Sequence, residues 1–238
     1  MKYDEALRKP FTDIKKLAIG IILSMIPIVN FTIVQGFFME NSGAGKAKAS
    51  AKMPEWKDWS YLFVKGLGAF VVKIIYMIPA LAFLSFGIGV AAGDMVAAMA
   101  NVVSPELMGQ MVGGSVAANE QVSQVMRQNW YLIVPGLLKA APLIAVGTLL
   151  ALLASFVTPI AVLNYLSKKN FAAAFDFSVV LRKAFTPNYA LAWLTVLIVS
   201  AAVGFVLKFI PWIGASITLF IMGVIGYSLY GQVFKEKK

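Results

Sequence analysis

Long apolar runs separated by short polar connectors fill most of this sequence. A helix needs about 20 apolar residues to cross a membrane. Four runs reach that length; they cover residues 74–92 together with the turns that precede them, 141–166, 189–207 and 212–233. The pattern predicts an all-α fold, in which residues 1–238 form a single membrane domain built as a polytopic helical bundle.

The first apolar stretch, residues 17–38, is interrupted by Pro27 and Asn30. A single crossing here would leave the basic residues of the N-terminus on the outer face, against the charge bias of membrane proteins. A short hairpin over residues 11–41 avoids this. Its arms would span about 24 and 20 Å, less than the roughly 30 Å hydrocarbon core. We therefore expect the hairpin to dip in and return or to cross barely, which gives about six membrane segments in all.

Three connectors have helical patterns of their own. The connectors 41–65 and 167–188 are basic, so the amphipathic elements 53–72 and 167–188 are expected to lie at the membrane interface on the cytosolic side. Residues 93–129 carry little basic charge and are expected outside. Within that outer insertion, Ser104-Pro105-Glu106 is a typical helix start, Gly113-Gly114 ends that helix, and an amphipathic helix follows. Both chain termini are then cytosolic, in a multi-pass protein of the cell membrane.

The composition supports the membrane assignment and removes several kinds of chemistry. Of 238 residues, 60% are apolar and only 13% are charged, about half the charged share of a soluble domain. The chain has neither Cys nor His, which excludes thiol catalysis, Ser–His–Asp triads and the commonest metal ligands. We therefore predict no catalytic residues, no metal and no cofactor. The net charge of +10 favours contact with anionic lipid over nucleic acid.

Three lysines stand at the edges of apolar runs: Lys73, Lys139 and Lys208. Four stretches that include all the apolar runs contain no Asp or Glu; they cover residues 17–38, 61–93, 129–175 and 177–234. This counts against proton- or sodium-coupled transport, which usually needs a carboxylate at membrane depth. Without an acidic partner, each lysine is expected to reach a lipid headgroup or to face an anion.

Two polar–aromatic elements are the most distinctive features of the connectors. One contains Trp56, Asp58 and Trp59, and the other contains Asp176 between two phenylalanines. Tryptophan is typical of the headgroup level, so both elements are predicted to be interfacial anchors. The alternative is that they form cytosolic docking sites for another protein.

The runs LRKPFTDIKKLAIGIILSMIPIVNF and MPEWKDWSYLFVKGL, with the later NYLSKKNFAAAFDFSVVLRKAF, resemble the DUF4013 family of uncharacterised membrane proteins. The resemblance implies about six membrane helices and, since the family is found largely in archaea, an archaeal source. It implies no activity. Residues 93–129 do not resemble the family pattern.

Two classes of function follow from these features. The first is a non-enzymatic scaffold, regulatory or partner-binding subunit of the membrane. The second is a carrier or channel for a small solute or anion that uses the edge lysines. The expected partners are membrane lipids, together with a protein partner or a second copy of the chain, and neither metal nor nucleic acid is expected.

Overall fold

The computed structural model describes residues 1–45, 51–210 and 213–236, and within them every regular element is helical. The helices, numbered in chain order, are α1 Tyr3–Arg8, α2 Ile14–Ser24, α3 Pro27–Ser42, α4 Trp59–Val102, α5 Pro105–Val112, α6 Val116–Gln128, α7 Val134–Lys168, α8 Phe177–Ala184, α9 Pro187–Leu207 and α10 Ile213–Lys235. Short 3₁₀ turns cover Lys9–Thr12, Trp130–Leu132 and Phe171–Phe175. The chain forms two compact units, Met1–Tyr76 with Ala154–Lys238, and Met77–Leu153.

Four described helices are long and apolar enough to cross a membrane, namely α4, α7, α9 and α10. The pair α2 and α3 raises the number to five if it is counted as one broken span. The all-α membrane bundle is thus confirmed. The predicted number of about six membrane segments is higher because it includes α2 and α3 as two separate segments. The run predicted over residues 212–233 begins outside the described residues, which resume with α10 at Ile213.

Two helices, α2 and α3, bent by 119° at Met25 and Ile26, occupy the residues of the predicted hairpin, and this pair is called the hairpin below. The bend is compatible with a re-entrant pair and with one broken span, so the return to the cytosolic side stays a prediction. The interruption by Pro27 and Asn30 suggests a turn at these residues, but Pro27 instead opens α3. Proline favours the first position of a helix because its fixed φ is helical and its missing N–H would have no partner there. Asn30 begins a π-helical turn, Asn30–Val34, within α3. Such turns in a helix frequently mark functional sites.

In the larger unit, α3 packs closely against the first turns of α4 through reciprocal glycines. A Cβ atom at Gly36 would collide with the backbone oxygen of Leu62, and one at Gly66 would collide with that of Thr32. A stack between Phe31 and Phe70 lies beside this crossing, with ring centroids 5.4 Å apart. Small residues on both helices therefore bring the two backbones together, as in other membrane helix pairs.

The core of the larger unit is rich in aromatic side chains. Phe37, Tyr189 and Phe220 are fully buried, and α10 contributes the largest share of the buried residues. Gly20 of α2 lies so close to the Phe220 ring that a Cβ atom would overlap it. The hairpin is therefore packed against α10 through both of its arms, since Phe37 and Phe38 of α3 also contact Phe220.

The two longest helices extend beyond the predicted apolar runs. The run over residues 74–92 and the turns that precede it belong to one helix, α4, which continues to Val102. Its 44 residues correspond to about 66 Å. Likewise, α7 begins at Val134, before the apolar run over residues 141–166. Pro79 and Pro142 lie inside these helices, as membrane helices tolerate proline. The predicted interfacial position of residues 53–72 stays a prediction.

The smaller unit holds the C-terminal part of α4, the first part of α7, and helices α5 and α6. Gly87 faces Ile144 and Gly147 faces Leu84, so α4 and α7 approach closely within this unit. Ser104 caps α5 as predicted, with its hydroxyl accepting from the Leu107 amide at 3.3 Å. The chain reverses at Gly114, whose φ of +85° suits glycine.

Candidate functional site

Three polar side chains, linked by hydrogen bonds, connect three helices inside the larger unit. The Lys73 ammonium on α4 donates to Gln35 Oε1 on α3 at 2.6 Å, and Gln35 Nε2 donates to the Tyr227 hydroxyl on α10 at 2.5 Å. Gln35 and Tyr227 are buried and Lys73 is half-buried. The glycine crossing explains the placement, because it holds α3 against α4. The side chain of Lys73 then reaches back towards the N-terminus of its helix.

The chemistry of these groups fixes the direction of the hydrogen bonds. An ammonium can only donate, so the oxygen of the Gln35 amide must face Lys73 and its nitrogen must face Tyr227. The Tyr227 oxygen therefore accepts from Gln35, and the hydroxyl proton is available to donate elsewhere. Lys73 likewise keeps two of its three N–H donors. The described part of the chain provides no further partner for either group.

These side chains line a pocket of about 240 Å³ in the larger unit. Its wall also includes Asn30, at the start of the π-helical turn, and Leu219 on α10. The half-buried Asn30 side chain makes no hydrogen bond to the described residues. The pocket is thus lined by hydrogen-bond donors of Lys73, Tyr227 and Asn30 that have no acceptor among the described residues. The Lys73 ammonium also gives it one positive charge.

Lys139 has an acidic partner that we did not expect. Its ammonium lies 2.8 Å from Asp94 Oδ2, and both residues belong to the smaller unit. Asp94 lies in the predicted outer insertion, but the structure includes it in α4. Because Gly136 on α7 has no side chain, the backbone of α7 can lie close to the Cβ atom of Asp94. The premise that Lys139 lacks an acidic partner is therefore wrong.

Lys208 follows the last residue of α9, and its ammonium lies 4.0 Å from the Phe205 ring centroid and 5.1 Å from that of Phe209. It does not join Lys73 or Lys139. Each ring face attracts the positive charge. The predicted lipid-headgroup or anion contacts of the three lysines remain predictions, and only Lys73 lines the pocket described above.

Trp56 lies against the core of the larger unit. Its ring stacks on Phe37 with centroids 4.0 Å apart and planes 14° apart. Its Nε1 donates to the carbonyl oxygen of Lys16 at 3.2 Å. Beside it, the Lys16 ammonium lies 2.6 Å from Glu55 Oε1, and this hydrogen bond holds the pKa of the Glu55 carboxyl below its usual value. Trp56 therefore fastens the connector to the hairpin.

Asp58 and Trp59 are more exposed than Trp56. Asp58 has a positive φ of 52°, a conformation that Asp tolerates better than most residues. Its carbonyl oxygen accepts from the Leu62 amide at 3.0 Å at the start of α4. Trp59 stacks on Trp56 with centroids 5.9 Å apart. The predicted anchoring or docking role of these residues stays a prediction.

Asp176 is the N-cap of α8. Its carboxylate accepts from the Ser178 hydroxyl at 2.8 Å and from the Val179 amide at 3.3 Å, and the Lys168 ammonium lies 3.3 Å away. These hydrogen bonds, that from Ser178 first, lower the pKa of the Asp176 carboxyl. The arrangement accounts for the acid between two phenylalanines as a helix start.

Sequence reasoning missed Gln35 and Tyr227. A single Gln in an apolar run was the available signal for the first, because an uncharged amide at membrane depth needs partners. A Tyr near the end of an apolar helix is typical of an interfacial anchor, so the sequence does not indicate a buried partner role for Tyr227. The described residues contain no group of three acidic side chains that could hold a metal ion.

Comparisons with known proteins support the resemblance found in the sequence. Residues 19–212 match a family model described as "Protein of unknown function (DUF4013)". No curated protein and no solved structure matches the chain. The matched residues include the hairpin from the middle of α2 onwards, the Trp56 element and both α4 and α7, so the match covers most of the architecture described above. The chain belongs to the DUF4013 family.

Proposed function

We propose that this integral membrane protein is a non-enzymatic binding protein whose ligand occupies the pocket beside Lys73. It would be a multi-pass protein of the cell membrane, with both termini in the cytosol. The basic connectors and the position of the hairpin favour this orientation. The binding partner is a membrane component in this proposal, and its regulatory or scaffold role would follow from holding that component.

One observation carries the proposal: the Lys73–Gln35–Tyr227 chain borders a pocket. An ionisable residue between membrane helices is costly unless it is paired, and it is commonly kept for function. Lys139 has a carboxylate beside it, whereas Lys73 has only a neutral amide oxygen. A ligand in the pocket would complete the hydrogen bonding of Lys73. The absence of Cys and His from the sequence further favours binding over catalysis.

A second candidate function is a carrier for small anions. The bent pair α2 and α3 favours it, since irregular segments at membrane depth are found where they line a cavity or a solute path. The π-helical turn and Asn30 lie at the pocket wall. In a carrier, this segment would move to expose the site alternately to either side.

Purification from native membranes tests the binding proposal. Lipids and proteins that remain bound would be identified by mass spectrometry for the wild type, for Lys73→Met and for the control Lys208→Met. We expect a component that the wild type and the control retain and that Lys73→Met loses. Identical sets of bound molecules in all three samples would contradict the proposal.

Anion flux separates the two candidates. Purified protein is placed in vesicles loaded with an anion-sensitive dye, and chloride or phosphate is added outside. A binding protein leaves the leak at the level of protein-free vesicles. Flux that requires Lys73 and survives Lys208→Met would instead establish the carrier.

A further inference from the structure

The pocket beside Lys73 has the chemistry of an anion site, and we propose that its ligand carries an anionic oxygen group, a phosphate or a carboxylate. This inference rests on the proposed binding function and names the class of its ligand. The site combines one positive charge with hydrogen-bond donors on three helices. The class of ligand follows from three properties of the pocket: its hydrogen-bond donors, the charges around it and its volume.

The side chains that line the pocket offer more unpaired hydrogen-bond donors than acceptors, which favours an anionic ligand. Lys73 has two unused N–H donors, Tyr227 has its hydroxyl proton, and Asn30 has an amide without a partner. Gln35 Oε1 is already occupied by Lys73. A cation would meet a like charge and few acceptors, whereas an anionic oxygen would accept charge-assisted hydrogen bonds, which are the stronger kind.

No acidic side chain neutralises the pocket. The residues that line it, on α3, α4 and α10, include neither Asp nor Glu. Lys73 has no ion pair within the described ranges, in contrast to Lys139 and Lys16. Lys73 is half-buried, and a positive charge that is partly removed from water without a counter-charge is costly. An anion in the pocket would supply that counter-charge.

The size of the pocket limits the ligand to a small group. Its volume of about 240 Å³ is below the range of about 300–1,000 Å³ typical of sites for drug-sized molecules. Phe31, Phe38 and Leu219 provide the apolar part of the wall. A phosphate or carboxylate fits this arrangement whether it belongs to a lipid headgroup, with its acyl chains outside, or is free in solution.

Thermal unfolding of the purified protein in neutral detergent tests this class of ligand, since a ligand that binds only the folded state raises Tm. The probes are phosphatidylglycerol, diacylglycerol as a lipid without an anionic oxygen, and inorganic phosphate. We expect phosphatidylglycerol or phosphate to raise Tm more than diacylglycerol does. A rise with phosphatidylglycerol alone identifies a lipid headgroup, and a rise with phosphate as well identifies a free anion.

Variants tie the effect to the pocket. Lys73→Met should weaken the binding of the anionic probe by about tenfold or more, as expected for loss of a hydrogen bond to a charge. Lys73→Arg should retain most of it, and so should the control Lys208→Met. Tyr227→Phe, which keeps the ring but removes the hydroxyl donor, should weaken binding by a smaller factor and covers the case in which Lys73→Met fails to fold.

Two outcomes would overturn the inference in distinguishable ways. If diacylglycerol and phosphatidylglycerol stabilise the protein equally and Lys73→Met loses both effects, the pocket binds a ligand but not by an anionic oxygen group. The proposed binding function then stands and the ligand class is wrong. If Lys73→Met and Tyr227→Phe respond to every probe as the wild type does, both the inference and the proposed function fail.

Discussion

At the scale of single residues, Gln35 connects Lys73 to the rest of the protein. Gln35→Leu should leave the Lys73 ammonium without its only acceptor in the described structure, because the two groups share one hydrogen bond. Hydrogen bonds to charged groups contribute about 1.5–3 kcal/mol, so we expect a loss of that order in unfolding free energy. The measurement is unfolding of the refoldable protein in mixed micelles.

The double variant Gln35→Leu with Lys73→Met is the matched control. Removing the charge together with its partner should restore part of the lost stability, since only the neutral Tyr227 hydroxyl then lacks its partner and no charge is left unpaired. Losses that simply add in the double variant would show that the two side chains do not interact.

Trp56 and Trp130 provide a second comparison between residues. Trp56 stacks on Phe37 at 4.0 Å, whereas Trp130 is 62% exposed. Trp56→Ala should cost about 2–3 kcal/mol of unfolding free energy, somewhat below the figure for a fully buried aromatic residue. Trp130→Ala should change it little. Equal effects in the same unfolding measurement would mean that the stack on Phe37 does not fasten the connector.

At the scale of helices, the reciprocal glycines between α3 and α4 determine whether the site forms. Gly66→Ala would place a Cβ atom against the Thr32 carbonyl oxygen, which cannot move without the backbone. We expect α3 and α4 to separate, with lower thermal stability and loss of ligand binding at Lys73. Gly93→Ala in the same helix meets nothing within 4 Å and should be neutral or stabilise by up to about 1 kcal/mol.

The N-terminus of α8 should loosen in acid. The pKa of Asp176 is lowered in the folded state, so its contribution is present above the unfolded value of about 3.9 and is lost as pH falls through the folded pKa. Hydrogen exchange of a peptide containing Val179, corrected for intrinsic rates, should therefore show lower protection at acid pH. Asp176→Asn removes the titrating charge, and its protection should not depend on pH in this range.

Features of these helices that depend on residues close together in the sequence could be predicted, whereas features that depend on distant residues could not. The cap at Ser104, the reversal at Gly113-Gly114 and the bend near Pro27 follow from local chemistry, and the sequence was sufficient for them. The continuity of α4 was not predictable from local signals, because proline breaks a helix in water but is tolerated between membrane helices. The Lys139–Asp94 pair depends on that continuity, so it was missed as well.

The candidate site depends on contacts between residues distant in sequence. Lys73 was visible as a charge in an apolar run, but its partner Gln35 is separated from it by 38 positions and Tyr227 from Gln35 by 192. No periodicity within one helix brings these three together. The glycines that do so read, in sequence, as ordinary small residues of membrane helices.

At the scale of the whole molecule, the orientation in the membrane is the main prediction. Because the chain has no native Cys, single cysteines can be labelled with an impermeant thiol reagent on intact cells. Asp4→Cys and Glu236→Cys should be protected and Val112→Cys should react, since the basic connectors favour a cytosolic location for both termini. Labelling of Asp4→Cys from outside, with Glu236→Cys protected, would show instead that α2 and α3 form one crossing.

The central claim is that the hairpin brings an anion-binding site to Lys73. A density map of the protein in nanodiscs that contain phosphatidylglycerol tests it most directly. The account predicts density in the pocket within hydrogen-bond distance of Lys73 Nζ and near the Tyr227 hydroxyl, and weaker density at this place in the Lys73→Met variant in the same nanodiscs. A pocket filled only by acyl chains, with the Lys73 ammonium turned away to the membrane surface, would contradict it.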